Sequence, residues 1–551
     1  MPRYEGRLEL TWTNKHERLL AHEDGSYEWL PASDYRVAEV RLLHDVKTIG
    51  DVGRRRAGDN LLIRGDALHA LTTLSTLPEF SQEYIGKVKL AYLDPPFNTQ
   101  QAFPSYDDAL EHSVWLTMMR DRLTQVAELL APDGSIWVHC DDSEQHRLRC
   151  VLDEVFGPSA FIATVIWQKK YSRDNRPAIG TVHDYLHVYS PMGTDWKLVR
   201  NRVVRDAKST KAYRNPNKDP RGPWRPIPLD VQAGHATASQ FYDVVTPGGA
   251  VRRPSSGRAW SLTQERLATL VAEGKVYFGA DGRGMPNLIR YLDEDQGLVP
   301  WTWWPHEEVG HTDEAKKEVL QLFPGNEPFD TPKPERLMAR IIHIATEPGE
   351  VVLDCFVGSG TTAAVAHKMG RRWVAVERSD HLDTYAAPRL EKVITGDDPG
   401  GVTESFDWQA GGGFRVLEVA PSMFEADHQG LVLLADWMTN GKLAEATAAQ
   451  LGYDYVPQSP FAGRKGRTRL AVVDGVVNEG VVRLLVSVLD EDERVVVCGT
   501  GIDPDARAVL RELRRGSSLR KIPAALLDRY RVPRPRTGTR ASSSASSEMA
   551  G

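Results

Sequence analysis

Three short apolar runs along this chain each end on a carboxylate. Val88-Lys89-Leu90-Ala91-Tyr92-Leu93 leads to Asp94, Glu350-Val351-Val352-Leu353 to Asp354, and Trp373-Val374-Ala375-Val376 to Glu377. Runs of this length without polar alternation read as strands buried on both faces, the pattern of a parallel sheet covered by helices. Ser135-Ile136-Trp137-Val138 reads as a further strand, and His139-Cys140-Asp141-Asp142 after it as a strand end and helix cap. After Asp354 come Cys355-Phe356-Val357-Gly358-Ser359-Gly360, and the small residues from Thr361 to Ala366 start a helix that packs closely on the sheet. The pattern predicts an open α/β fold with ligands at the carboxyl edge of its strands.

Two of these strand ends carry chemistry. A strand, a glycine turn and a helix N-terminus bring backbone N–H groups close to a ligand, and Glu377 closing the next strand is placed to hydrogen-bond a ribose. That is the layout of a nucleoside-cofactor site. A dinucleotide site is disfavoured, because Gly-Ser-Gly-Thr-Thr lacks the third glycine of the dinucleotide fingerprint. At the other strand end, Asp94 precedes Pro95, Pro96 and Phe97. The prolines stiffen the backbone, have no N–H and leave carbonyls without a regular partner. A carboxylate and a carbonyl together can accept both protons of an exocyclic amino group and localise its lone pair for attack on a sulfonium methyl. Phe97 supplies an aromatic face for a base swung out of a duplex.

Asp94-Pro95-Pro96-Phe97 ahead of Phe356-Val357-Gly358-Ser359-Gly360, with a long insertion between, resembles the beta-class order of DNA amino-methyltransferases, and most of all the modification (Mod) subunit of Type III restriction-modification systems. Asn60 to Asp66, Trp167 to Tyr171, Trp303 to His311 and Phe329 to Leu337 extend the likeness, which runs from about residue 5 to about residue 420. The resemblance implies a Rossmann-like core dependent on S-adenosyl-L-methionine and a substrate of adenine N6 or, less often, cytosine N4 in double-stranded DNA. It places Asp94, Pro95, Pro96 and Phe97 on the target base, and Asp66 at the edge of that pocket. Asp354, Phe356, Gly358, Ser359, Gly360, Thr361, Glu377, Thr331 and Lys333 would line the cofactor site. Asp at position 94 favours adenine; Phe97, where Tyr is commoner, keeps the stacking surface and loses a hydroxyl. A homodimer and a helicase-nuclease partner are further implications.

With 551 residues, the chain has room for about three or four domains. The resemblance and the shifts in composition divide it into an N-terminal extension (1–45), a catalytic half (46–165), a target-recognition insertion (166–305), a cofactor half (306–400), a small C-terminal α/β domain for docking or dimerisation (410–532) and a disordered tail (533–551). In the C-terminal domain, Leu431 to Leu434, Val481 to Val486 and Val495 to Cys498 read as strands, and Asp505 to Arg514 as a helix.

The formal net charge of −7 hides a basic stretch: from Trp167 to Arg225 there are fourteen Lys and Arg against five Asp. Tryptophans and tyrosines interleave with them, so Lys169 and Lys170 are candidates for DNA contact. The four cysteines form no Cys-x-x-Cys pair and no zinc-ligand pattern, so they read as thiols in a reducing compartment, and no metal is expected. There is no signal-peptide pattern or apolar span, which points to the cytoplasm. The chain has no ATP-binding Gly-x-x-x-x-Gly-Lys-Ser/Thr loop, so ATP-driven translocation would belong to a partner. The rival readings are a cytosine-N4 methyltransferase and a non-catalytic recognition subunit for a nuclease.

Overall fold

The structure, a computed structural model, describes residues 9–530 apart from 23–25, 99–101, 104–105, 108–110, 174–176, 206–209, 293–296, 326, 328 and 440. The tail expected from 533 onward lies outside the described residues. The chain divides into two compact units, residues 201–301 and the remainder.

The larger unit is built on a ten-stranded sheet. In chain order its strands are β1 (Leu43–Gly50), β2 (Asn60–Arg64), β3 (Val88–Leu93), β4 (Leu130–Cys140), β5 (Phe161–Gln168), β6 (His183–Tyr189), β7 (Trp303–Trp304), β8 (Val351–Asp354), β9 (Arg372–Glu377) and β10 (Gly413–Val419). Across the sheet they run β7-β5-β6-β4-β3-β8-β9-β2-β10-β1. The six strands from β4 to β10 are mutually parallel, whereas β6 and β1 pair antiparallel at the two flanks. The consequence for the site is the β3–β8 pair, in which Leu90 faces Val352 and Ala91 faces Leu353. The two motif-bearing strands, distant in sequence, are immediate neighbours, and Asp94 and Asp354 emerge from the same sheet edge. Their apolar positions are buried, as strands covered on both faces require.

Three expectations are corrected. Residues 166–200 belong to the larger unit: Trp167, Tyr185 and Tyr189 sit in β5 and β6, with Trp167 and Tyr189 fully buried, so the smaller unit begins at 201. Trp167 and Tyr189, counted toward a recognition surface, are core residues of the sheet, whereas Tyr171 is exposed. At the other end, β10 completes the main sheet, so the division drawn at 410 falls before a strand of the core. Beyond it, a five-stranded sheet runs from Asp454 to Lys521, with Thr468–Val477, Arg494–Ile502 and Ser518–Lys521 parallel. Leu443, Ala446, Ala448, Leu470 and Val496 share one core with Leu42, Leu43 and Ala70, so this region is not a separate body. Finally, Val481 to Val486 is helix. Asn478 caps Glu479–Ser487 through the Val481 N–H, and Val482 and Leu485 point inward three positions apart.

The smaller unit, 201–301, holds a three-stranded sheet of Trp224–Pro228, Asn287–Tyr291 and Val276–Tyr277, short hairpins and a helix, Gln264–Ala272. Trp260, Leu229, Leu267 and Phe278 form its core.

Candidate active site

Asp94 leaves β3 at the sheet edge and is held there by an ion pair: Lys333 Nζ lies 2.5 Å from Oδ2. Oδ1 is buried and has no hydrogen-bond partner among the described residues. The loop that follows is pinned at Pro96, Phe97 and Asn98. The Trp115 indole donates to the Pro96 carbonyl at 2.6 Å, so that carbonyl is not open to a ligand as expected. Among the described residues nothing donates to the Pro95 carbonyl. Phe97 stacks on the His139 imidazole, ring centroids 5.4 Å apart, and Lys333 Nζ stands 5.3 Å from the Phe97 centroid. Asn98, in left-handed backbone with φ +60°, donates from its amide to buried Glu144 at 2.8 Å. A loop anchored this way is pre-organised rather than shaped by its substrate.

His139, which reads in the sequence as a strand end and helix cap, lies inside the site. It ends β4 beside β3, fully buried; its Nδ1 is 3.0 Å from Tyr92 Oη and its Nε2 is 3.3 Å from Asp184 Oδ2. Asp184 in turn meets Lys169 Nζ at 2.5 Å. Lys169 therefore has an internal ion-pair partner and is partly buried, whereas Lys170 is exposed. A histidine with two aspartates following it, at the end of a strand next to the motif strand, was the available signal.

At β8, Asp354 accepts from the Phe356 N–H at 2.9 Å. Burial, reinforced by Asp94 and Glu377, pushes its carboxyl up to about 7 against the opposing pull of Thr362 and the Phe356 N–H. Gly358 and Gly360 have φ of +52° and +81°, and a Cβ on Gly358 would come 3.2 Å from the Phe329 ring. The Gly358 N–H donates to Glu377 Oε2 at 2.9 Å, tying the glycine turn to the end of β9. The Ser359 and Thr361 hydroxyls face each other at 3.1 Å, and Arg389 donates to Thr361 Oγ1 at 2.8 Å. Both hydroxyls thus have partners within the loop and its neighbouring helix. Arg389 also binds Glu335, which Lys368 pairs from the other side, both at 2.8 Å, a buried network that fixes the glycine turn to the helix Glu335–Ala345.

Thr331 is exposed; its carbonyl lies 3.4 Å from Lys333 Nζ. Lys333, assigned by resemblance to the cofactor side, is seated on Asp94. Asp66 caps the helix Ala67–Thr76 through Leu68 N–H at 2.7 Å and pairs with Arg122 at 2.6 Å. Burial works against its charge, but Arg122 and His69 hold its carboxyl down to about 2. It follows β2, three strands from β3 or about 14 Å at ordinary strand spacing, and its neighbour Gly65 bonds the Glu377 carbonyl. The structure thus places Asp66 on the Glu377 side of the edge, away from Asp94. Among the described residues no cluster of His, Cys, Asp or Glu is arranged to hold a metal. No described helix is long and apolar enough to cross a membrane.

A family model for DNA methylases, the N6/N4 methyltransferases, matches residues 88–387, more than half of the chain. The chain belongs to this family, whose methyl donor is S-adenosyl-L-methionine. It is similar to the Type III restriction-modification enzyme StyLTI Mod subunit of Salmonella typhimurium, 33% identical over 334 residues that span 55% of this chain and 49% of that protein. It is similar also to the probable HindVI Mod subunit of Haemophilus influenzae, 29% identical over 68% of this chain and 56% of that protein. The Type II methyltransferase M.EcaI of Enterobacter cloacae is 29% identical over 53% of this chain and 62% of its own length. The chain spans about half the length of the Mod subunits it matches.

Proposed function

We propose that this protein methylates adenine N6 in double-stranded DNA, with S-adenosyl-L-methionine as donor, as the modification subunit of a Type III restriction-modification system in the cytoplasm. The observation that carries the reading is the bare Asp94 Oδ1: a buried carboxylate oxygen without a partner, beside the open Pro95 carbonyl and the Phe97 ring. A buried acceptor left unpaired is costly, and this one, set beside a second acceptor and an aromatic face, is placed to take a donor that arrives with the substrate.

Oδ1 and the Pro95 carbonyl supply two acceptors for the two N–H groups of an amino group. Lys333 on Oδ2 fixes the carboxylate plane, and Phe97, braced by His139, supports the base. Asp94 Oδ1 is also the nearest base for the proton the nitrogen sheds. The cofactor fits the β8–β9 edge. The turn at Gly358 is a cradle that a Cβ would fill against Phe329, and buried Asp354 and Glu377 suit a ligand with cationic and hydroxyl groups. When bound there, it supplies an electrophilic methyl. Asp354, Phe356, Glu377 and the backbone of Gly358 would hold it.

The smaller unit is the recognition module in this reading. Residues 201–301 hold fifteen Lys and Arg against ten Asp and Glu in a chain whose net charge is −7. Target choice between adenine and cytosine follows the resemblance carried by Asp94, and a second copy of the chain and a helicase-nuclease are the partners that resemblance implies. The test is transfer of labelled methyl from S-adenosyl-L-methionine to duplex DNA by the full chain. Incorporation that disappears in Asp94→Ala supports the reading; DNA binding without any incorporation means a recognition subunit instead.

A further inference from the structure

We infer that Lys169, Asp184 and His139 form a positioning relay that keeps Asp94 Oδ1 free of internal donors and braces Phe97. The assignment rests on the methyl-transfer reading above and adds residues to its machinery.

His139 is enclosed on every side. Tyr92 of β3 lies at Nδ1 and Asp184 of β6 at Nε2; Phe97 covers one face, and the Trp167 ring of β5 meets it edge-on at 5.5 Å. The charged groups around it are Asp184, Lys169, Asp94, whose Oδ1 is 4.0 Å from Nδ1, and Lys333 on the far side of Asp94. Burial and the Lys333 ammonium push the imidazole below its usual range despite the two aspartates, so it is neutral at physiological pH. Burial opposes the charge of Asp184, but His139 and Lys169 hold its carboxyl below the usual range.

A neutral imidazole has one N–H, and its neighbours decide where that proton sits. Ionised Asp184 only accepts, so Nε2 must be the donor. Nδ1 is then a bare lone pair, and Tyr92 donates its O–H to it. In this tautomer nothing around the imidazole donates to Asp94 Oδ1. In the other tautomer, or in the imidazolium, an Nδ1–H would bond Tyr92 Oη at 3.0 Å and, 4.0 Å from Oδ1, draw the carboxylate electrostatically against the incoming amino group. Lys169 anchors the relay from outside by holding Asp184 in place. At 4.0 Å the ring nitrogen stands beyond hydrogen-bond range of Oδ1, and in this tautomer it turns a lone pair and not a proton toward that oxygen.

Asp184→Asn inverts this logic without changing shape. Lys169 can only donate, so the amide oxygen turns to Lys169 and the amide N–H₂ to His139. Nε2 must then accept and the proton moves to Nδ1. Turnover should fall about a hundredfold, the cost of a misplaced catalytic group, while KM for DNA and cofactor affinity stay within a few-fold. The full chain labelled with ¹⁵N-histidine, with the His139 signal assigned by its loss in His139→Gln, reports the tautomer directly. Wild type should show protonated Nε2 and bare Nδ1 at pH 7.5, and Asp184→Asn the reverse. A protonated Nδ1 in the wild type overturns the relay whether or not the variant folds. So does a variant that keeps wild-type turnover, or one that loses cofactor affinity in step with turnover. Wild type without any methyl transfer contradicts the methyltransferase reading, an outcome separate from the tautomer result.

Discussion

Lys333 grips one oxygen of the Asp94 carboxylate at 2.5 Å and leaves the other unbonded. The pair joins the segment before the helix Glu335–Ala345 to the end of β3, and so links the two halves of the site. Asp94→Ala removes the acceptor for the amino group and strands a buried ammonium. Methyl transfer should fall by orders of magnitude and cofactor affinity by no more than a few-fold, with a stability loss of about 1–3 kcal/mol from the unpaired cation. Calorimetry with the cofactor and thermal melting check it; equal loss of affinity and turnover would mean that Asp94 belongs to the cofactor site.

Asp354 makes cofactor binding depend on pH. Its carboxyl is raised to about 7 in the folded protein, above an unfolded value of about 4. The folded state therefore binds this proton more tightly. Its contribution favours folding at low pH and is lost as pH rises from about 4 to about 7. A cationic ligand favours the ionised carboxylate, so affinity for S-adenosyl-L-methionine should increase as pH rises through about 7, with proton release on binding below that point. Titration calorimetry in buffers of different ionisation heat measures the released proton, and Asp354→Asn should abolish it. PH-independent affinity would show that Asp354 does not face the cofactor's cationic groups.

Gly358→Val forces a branched residue into left-handed backbone and brings its Cβ against Phe329. Strain of about 1–3 kcal/mol is expected, and cofactor affinity should drop about tenfold or more. DNA binding measured without cofactor should not move. Unchanged cofactor affinity would remove the glycine turn from the pocket.

Lys169 and Lys170 separate into two roles. Lys170→Ala should weaken DNA binding and reduce the slope of log affinity against log salt by about 0.9, one phosphate contact. Lys169→Ala should leave the slope alone and lower turnover, since its ammonium is spent on Asp184. An equal change of slope in both variants would contradict the split.

The parts of the fold and site that were legible in the sequence were those encoded locally. Asp94 to Phe97 and Phe356 to Thr361 follow short apolar strands, and runs buried on both faces announce themselves without periodicity. What escaped was set by pairing across the sheet. Lys169 reads as a surface cation until β6 brings Asp184 beside it, and His139 as a cap until β3 places Tyr92 and Phe97 around it. Trp167 and Tyr189 read as a nucleic-acid surface because an interleaved basic and aromatic composition does not distinguish a core strand from an exposed one. The segment Val481 to Val486 was misread because a run of Val and Leu fits strand and helix alike, and only the Asn478 cap separates them.

The product of the reaction tests the account most directly. Duplex DNA incubated with the full chain and S-adenosyl-L-methionine, then digested to nucleosides and analysed by mass spectrometry, should contain N6-methyladenine, and Asp94→Ala should leave none. N4-methylcytosine alone would keep the two-acceptor geometry and overturn the adenine assignment. Unmodified DNA from active, cofactor-bound protein would contradict the account itself.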